Sequence, residues 1–433
     1  MRDLASEVRL VASAIGRHLF VVDGSRLYDI DGDAPINDEA LADLLDALAP
    51  EARRRIDATP LAPPALQTLS LNVAQACNMR CGYCYAGQGK FGGNARLMPI
   101  AVARASVDRL ITESRPGADL VVGFMGGEPF LHRKLLQDIM PYAENATRAS
   151  GHTVRFSLTT NATLIEPEDV RLLARHKVQV AVSIDGPKAI NDDARPLNGE
   201  GSAYDRLRGV LLMFDELGRP RHLSARITVT PRARDLPAIL EHVLSLGFDS
   251  AGFSPVLVSP DPALAFGEDD FRWFLAGMVE CGKCAAQAIA AGRRYPFSNF
   301  ETAMHEIERG SHRPYPCGAG AAYLSVNAEG ALYACHRLVD DPAHRFGDVF
   351  KGSDVAARAS HLAIRHVDRQ TPCRTCWARY LCGGGCYHEV DRRGRPGCDY
   401  IRGWLEFCLG AYAELRQAAP EYFRNPDRHF EMD

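Results

Sequence analysis

The chain has 433 residues, 46% of them hydrophobic, which is enough to bury large cores and too long for one ordinary domain, so two or three packed units are expected. Its 50 basic and 54 acidic residues leave a net charge of -4, which offers no large field of one sign to nucleic acid or to an anionic membrane. No run of about eighteen apolar residues occurs, and "MRDLASEVRLVASAIG" at the N-terminus reads as an amphipathic helix rather than a signal peptide, so a soluble cytoplasmic protein is expected, with no nucleic acid or membrane partner.

In chain order, "HLFVVDGSRLYDIDG" alternates and turns at Asp23-Gly24 as a hairpin does, and "NDEALADLLDAL" has helical apolar spacing behind a capping Asn37. Residues 1–65 therefore predict a small α+β hairpin-helix unit, closed by the Pro-rich linker "TPLAPPAL". Residues 66–305 alternate β-like runs ("LSLNVA", "LVVGFMGG", "VRFSLTTN", "VQVAVSIDG", "LSARITVT", "SAGFSPVLV") with helical stretches such as "AVARASVDRLITES". That is the α/β pattern of parallel strands with crossover helices, either a barrel or a doubly wound sheet. Polar or Gly-rich residues follow the strands at Gly126-Gly127-Glu128, Thr160-Asn161 and Ser183-Ile184-Asp185-Gly186, and in a β/α barrel those ends line the mouth that carries the active site. Residues 306–410 become Gly- and Cys-rich, which predicts a separate unit held by metal, and 411–433 return to a C-terminal helix and tail.

Thirteen cysteines in such a chain favour metal ligation over disulfides, because a reducing compartment keeps thiols available as ligands. Cys77, Cys81 and Cys84 stand at a C-x3-C-x2-C spacing in "CNMRCGYCY", too close to share one straight helix face, so a loop around an inorganic centre is expected. Zinc, or an iron–sulfur cluster with a distant fourth ligand, would satisfy them; so would a 4Fe–4S cluster with one iron open to a substrate. Cys281 and Cys284 in "VECGKCAAQ" lie in a helical stretch, and packing is favoured there over a redox pair.

"CNMRCGYCY" after the first barrel strand and "MGGEP" after the second resemble the cluster and methionine-binding motifs of the radical S-adenosylmethionine enzymes. The resemblance implies a partial (β/α)6 barrel in which Cys77, Cys81 and Cys84 hold a catalytic 4Fe–4S cluster that cleaves S-adenosylmethionine to a 5′-deoxyadenosyl radical. It further implies Tyr83 near the adenine and Gly126, Gly127 and Glu128 at the methionine amino group. The physics suits the last three, since glycine allows close backbone approach and a carboxylate favours an ammonium. Asn161 in "LTTNAT", Ser183 in "SIDGP" and Arg226 in "SARITV" occupy positions where members of that family contact the ribose or carboxylate, although Asn161 equally suits a turn cap and Arg226 an ion pair.

The late cysteines run Cys317-x12-Gly330-x4-Cys335, then Cys373-x2-Cys376-x5-Cys382-x3-Cys386, then Cys398. This resembles the seven-cysteine SPASM domain, which carries auxiliary iron–sulfur clusters in radical enzymes that modify peptides and proteins; a zinc ribbon is the alternative for "CRTCWARYLCGGGC". The resemblance implies a first auxiliary 4Fe–4S cluster on Cys317, Cys335 and Cys386, and a second on Cys373, Cys376, Cys382 and Cys398. Cys408, in a helical setting, is expected to be a buried thiol.

Where the sulfatase maturases, which form formylglycine, carry an Asp after the second SPASM cysteine, this sequence has His336 in "YACHRL". "CHRL", "ARYLCGGGCYHE" and "CDYIRGWLEFC" look more like the maturases of ribosomally made peptides and of the quinohemoprotein amine dehydrogenase small subunit. That resemblance implies cross-linking of a small precursor peptide or protein subunit, through a thioether or carbon–carbon bond, with electrons from a flavodoxin- or ferredoxin-like donor. Asp185 and His336 are candidate bases, and residues 1–65 resemble part of a leader-peptide recognition element. The alternatives are a formylglycine-generating or other radical oxidase and a non-catalytic, metal-stapled peptide-binding module; the last has no use for "CNMRCGYCY" or "MGGEP".

Overall fold

The computed structural model describes residues 4–30, 37–48 and 56–424. They gather into two compact units: one built from the chain up to 60 with 267–317 and 363 onward, the other from 61–266 with 318–362.

In the first unit, strands β1 (Val8–Ser13), β2 (Gly16–Val21) and β3 (Arg26–Ile30) form an antiparallel sheet in that order. The amphipathic helix expected over the first sixteen residues is confined to Leu4–Glu7, and a strand replaces the rest. The β-branched Val8 and Val11 explain the change: β1 pairs along β2 with Val8 opposite Val21 and Leu10 opposite Leu19, which turns Val8 into a core shared with Leu19, Val21, Leu41 and Leu45. The predicted hairpin is β2–β3, and the predicted helix spans Asp38–Leu48. Asn37 caps it, its Oδ1 accepting from the Ala40 N–H at 2.9 Å. Long helices Glu268–Ala290 and Cys398–Ala418 complete the packing, with Gly282 beneath Phe407 and Trp404, and Phe271 stacked on Tyr400.

The second unit is one sheet. Its strands are β4 (Thr68–Gln75), β5 (Arg96–Leu97), β6 (Asp119–Gly126), β7 (Thr153–Thr160), β8 (Gln179–Ser183), β9 (His222–Val229), β10 (Ser250–Pro255), β11 (Tyr323–Val326), β12 (Ala331–Tyr333), β13 (Arg345–Asp348) and β14 (Gly352–Ser353). Strands β4 and β6 to β10 are parallel and lie side by side in sequence order. A doubly wound sheet would reverse direction at a switch point, so the order distinguishes the (β/α)6 arrangement. Alternation along these strands buries Phe156, Leu158, Val180, Val182, Leu223 and Ile227 on one face. The other face carries Ser157, Thr159, Ala181, Ser183, Ser224 and Thr228, all half-buried. Barrel interiors are ordinarily filled by Val, Ile and Leu; small polar residues here leave room for a ligand.

Beyond β4, the sheet continues through β11, parallel to β4, and then antiparallel through β12 to β14. Two buried amides on β4 fasten this extension. Asn72 Nδ2 donates to Ser325 Oγ (2.9 Å) and the Val326 carbonyl (3.0 Å), while Gln75 donates to Asp340 (2.7 Å) and accepts from the Ala328 N–H (3.0 Å).

The ends of β6 and β7 are clamped by Arg133, whose Nε donates to both oxygens of the fully buried Asp169 at 2.9 Å and whose Nη2 donates to the Leu164 carbonyl at 2.7 Å. Replacing Arg133 by Ala strands that carboxylate, and we expect about 3 kcal/mol of stability to be lost, read as a lower urea midpoint at an unchanged m-value.

Candidate functional site

The segment Cys77–Tyr85 leaves the end of β4 as a loop fastened at several points. The Arg80 N–H donates to the Pro196 carbonyl (2.9 Å), and Asn198 donates through its backbone to the Asn78 carbonyl (2.9 Å) and through Nδ2 to the Cys77 carbonyl (3.0 Å). Asn161, at the end of β7, donates to Asn78 Oδ1 at 2.9 Å and has its Nδ2 3.8 Å from Cys77 Sγ, while Asn78 donates to Thr163 Oγ1 at 2.8 Å. Cys77, Cys81 and Cys84 are half-buried electrostatic neighbours. Burial pushes the Cys77 thiol up to about 12 and raises that of Cys81. Three thiols converging where thiolate is disfavoured suit a cationic inorganic centre, which supplies the missing positive charge.

Tyr83 lies between two of these cysteines, and its hydroxyl donates to Asp185 Oδ2 at 2.6 Å and accepts from Arg195 Nη1 at 2.5 Å. Arg195 also lies 3.7 Å from Asp185 Oδ1, which accepts the Thr228 N–H at 3.2 Å. Burial raises the Asp185 carboxyl and Arg195 opposes it. Asp185 is 1% exposed. Its oxygens therefore hold the aromatic of the cysteine loop. Arg195 escaped the sequence reading, because "NDDARPLNG" has no local pattern that marks it.

The glycines of "MGGEP" serve a close approach of chain to chain. Gly126 has φ +145°, and a Cβ there would stand 2.3 Å from the Ala74 carbonyl oxygen; at Gly127 it would stand 2.1 Å from that of Ala76. The Gly127 and Glu128 N–H groups donate to these same two carbonyls, at 2.8 and 2.9 Å. The buried Glu128 carboxylate accepts from Thr160 Oγ1 (2.7 Å), the Asn161 N–H (2.8 Å) and the Phe130 N–H (3.1 Å). Three of its roughly four acceptor positions are thus filled within the protein.

Further along the mouth, Ser183 on β8 pairs in register with Arg226 on β9, and the Arg226 side chain is exposed. The segment after β12 brings His336 and Arg337 to the same region. His336 Nδ1 is 3.1 Å from Tyr323 Oη, its ring centroid is 6.2 Å from that of Tyr85, and the Arg337 guanidinium carbon is 5.2 Å from the Tyr85 centroid. Tyr85, Tyr323 and Arg337 were not among the residues expected; only adjacency to Cys84 and His336 could have indicated Tyr85 and Arg337.

In the first unit, Cys373, Cys376, Cys382 and Cys398 are mutual electrostatic neighbours. Burial raises Cys373 to about 11 and pushes Cys382 and Cys398 upward. Among the described residues no three His, Cys, Asp or Glu side chains lie close enough together to hold a single metal ion. Cys317 and Cys386 both adjoin Tyr387 in this unit, and Cys335 belongs to the other. Cys281 and Cys408 are fully buried, as packing thiols are, and Cys284 is exposed.

The parallel strands thus run in sequence order, the first of them ends in a loop that carries three neighbouring half-buried thiols, and a glutamate-bearing glycine turn lies beside it. Residues 71–243 match the family model of the Radical SAM superfamily. The chain is also similar over most of its length to maturating enzymes. It is 26% identical over 381 residues to the serine-type anaerobic sulfatase-maturating enzyme of Klebsiella aerogenes, covering 83% of this chain and 88% of that one. It is 24% identical over 339 residues to the mycofactocin maturase MftC of Mycobacterium ulcerans, covering 76% and 85%. The fold is shared with native anSMEcpe bound to AdoMet and the Cp18Cys peptide, at a TM-score of 0.68 and 20% identity over 82% of this chain and 99% of that one. Among the described residues no helix is long and apolar enough to cross a membrane.

The Cys382–Cys386 loop rests on Gly383, whose φ is +73° and where a Cβ would stand 2.6 Å from the Tyr315 carbonyl. Gly383→Ala should cost more than about 1 kcal/mol and lower the iron bound per chain after anaerobic reconstitution, measured by iron analysis against Cys81→Ala, which removes a ligand expected for a different cluster.

Proposed function

We propose that this chain is a radical S-adenosylmethionine maturase that takes a hydrogen atom from a side-chain carbon of a ribosomally made peptide and closes a thioether or carbon–carbon cross-link within it. The observation that carries this reading is His336, placed against Tyr323 beside Tyr85, where formylglycine-forming enzymes are expected to have an Asp. Similarity to a mycofactocin maturase supports a peptide substrate.

When bound, S-adenosylmethionine and a reduced 4Fe–4S cluster supply a carbon radical able to take hydrogen from an unactivated C–H bond. In this reading Cys77, Cys81 and Cys84 would hold the cluster; Tyr83, Gly126, Gly127, Glu128, Asn161, Ser183 and Arg226 would shape the cofactor's place. Cys373, Cys376, Cys382 and Cys398 hold one auxiliary cluster, and Cys317, Cys335 and Cys386 contribute to another. The substrate gives up one hydrogen atom, one proton and one electron, and gains one bond. Of the two candidate bases His336 is the better placed for the proton, because the Asp185 oxygens already accept from Tyr83 and the Thr228 N–H. A flavodoxin- or ferredoxin-like protein would deliver electrons.

A second reading, oxidation of a protein Cys or Ser to formylglycine, is favoured by the similarity to a sulfatase-maturating enzyme over 83% of the chain. Cross-linking and serine oxidation both remove two hydrogens, so mass alone does not separate them. Co-expression with small peptides encoded beside the gene, under iron-replete anaerobic conditions, should give a peptide lighter by a hydrogen pair. Its fragmentation should be blocked between two residues, it should be inert to an aldehyde-reactive hydroxylamine, and it should be absent with Cys81→Ala. Labelling by the hydroxylamine, with normal fragmentation, would instead establish the oxidase.

A further inference from the structure

Asp340 stands where the turn alone would be served by glycine. Its φ of +62° is a left-handed conformation that glycine adopts without cost, and its side chain is half-buried. The carboxylate gathers donors from three directions: Gln75 Nε2 on β4 at 2.7 Å, Asn327 Nδ2 just after β11 at 2.7 Å, and the Tyr333 hydroxyl on β12 at 3.4 Å. Neither amide can turn over. The Gln75 oxygen accepts the Ala328 N–H at 3.0 Å, and the Asn327 oxygen accepts the N–H groups of Glu329 and Ala331 at 3.0 and 2.8 Å, so each amino group is left facing Asp340. Gln75 and Asn327 are each 1% exposed, and a buried amide deprived of its acceptor is costly.

These bonds also join two functional segments. Gln75 ends β4 two residues before Cys77, and Asp340 lies four residues after His336. The chain between His336 and Asp340 is tight: the Leu338 N–H donates to the Cys335 carbonyl at 3.0 Å, and the Asp341 N–H to the Leu338 carbonyl at 3.2 Å. At its start the His336 N–H donates to Tyr323 Oη at 3.3 Å, and Tyr323 pairs in register with Thr68 of β4. The His336 segment is therefore pinned at both ends to the strand that launches the cysteine loop. Between the pins its contacts are apolar, Val339 packing with Ala331, Tyr333 and Phe91. Apolar packing is non-directional, so the amide-to-carboxylate bonds are what fix the spacing.

We propose that Asp340 is a positioning residue for the reaction: through Gln75 and Asn327 it holds His336 at a fixed place beside the cysteine loop, so that the substrate proton is taken up next to the carbon that has lost its hydrogen atom. This deepens the maturase reading and rests on it. Asp340 itself touches neither substrate nor cofactor; it acts only through His336.

The test supplies reconstituted enzyme with dithionite, S-adenosylmethionine and synthetic copies of the small peptides encoded beside the gene. Deoxyadenosine counts hydrogen atoms taken and cross-linked peptide counts bonds closed, so their ratio reads the placement of His336 apart from the folding of the chain. Asp340→Asn keeps the size and the tolerance of left-handed backbone but sets one amino group against another. Iron per chain and deoxyadenosine release should stay within about twofold of the parent, while cross-link per deoxyadenosine should fall about tenfold. In the double variant Gln75→Glu with Asp340→Asn, carboxylate and amide exchange places and the Ala328 N–H keeps an acceptor, so coupling should return to within about threefold of the parent. Equal loss of both products in Asp340→Asn, or unchanged coupling, overturns the inference and leaves the maturase reading standing; so does failure of the exchanged pair to recover a lost coupling. Deoxyadenosine release without any cross-link by the parent enzyme overturns the maturase reading, and the inference with it.

Discussion

Everything at the barrel mouth depends on three buried groups that satisfy one another: the Tyr83 hydroxyl, the Asp185 carboxylate and the Arg195 guanidinium. None of the three could be buried alone. An isolated carboxylate or guanidinium in a protein interior loses far more hydration than packing returns, and removing one partner of such a set costs about 3–5 kcal/mol. Because the three come from the cysteine loop, the end of β8 and the loop that follows, satisfying them also fixes those segments relative to each other. The Thr228 N–H on Asp185 adds β9 to the set, and Asn161 on Asn78 adds β7. The cysteine loop is thus positioned by the strand ends it adjoins, with its three half-buried thiols in a stretch with no regular secondary structure.

The features legible in the sequence were those whose cause is local. Strand and helix alternation follows from periodicity, and the cysteine spacings and the glycine turn are written in consecutive residues, so the parallel α/β pattern and the two groups of thiols are legible directly, whereas the barrel order is implied only by the family resemblance and is distinguished from a doubly wound sheet by the strand order. The first strand of the N-terminal sheet was read as a helix because "EVRLVAS" satisfies both periods, and only pairing with β2 decides between them. The glycines of "MGGEP" were expected to make room for a ligand, whereas Gly126 and Gly127 first make room for the carbonyls of Ala74 and Ala76. Arg195 and Arg337 were invisible for a different reason. Their roles arise from contacts with Tyr83 and Tyr85 that sequence separation conceals.

The inner face of the barrel is as informative as its loops. A row of Ser157, Thr159, Ala181, Ser183, Ser224 and Thr228 forgoes the apolar packing that closes an ordinary barrel, and such a face gains little from burial. The stability of this unit must then come from the opposite face, where Phe156, Leu158, Val180, Val182, Leu223 and Ile227 are buried. The division leaves the interior open without weakening the layer that holds the strands.

The same division accounts for homology to enzymes of different outcome. The barrel residues that shape the cysteine loop are locked by complete hydrogen-bond sets, so substitutions there are costly. His336 and Arg337 arrive on a separate segment, whose neighbouring residues Ser325, Val326, Ala328 and Asp340 are fastened to β4 through Asn72 and Gln75. Similarity to a sulfatase-maturating enzyme across most of the chain and a histidine at position 336 are therefore compatible: the first concerns the barrel and its loops, the second a segment that joins the sheet beyond β4.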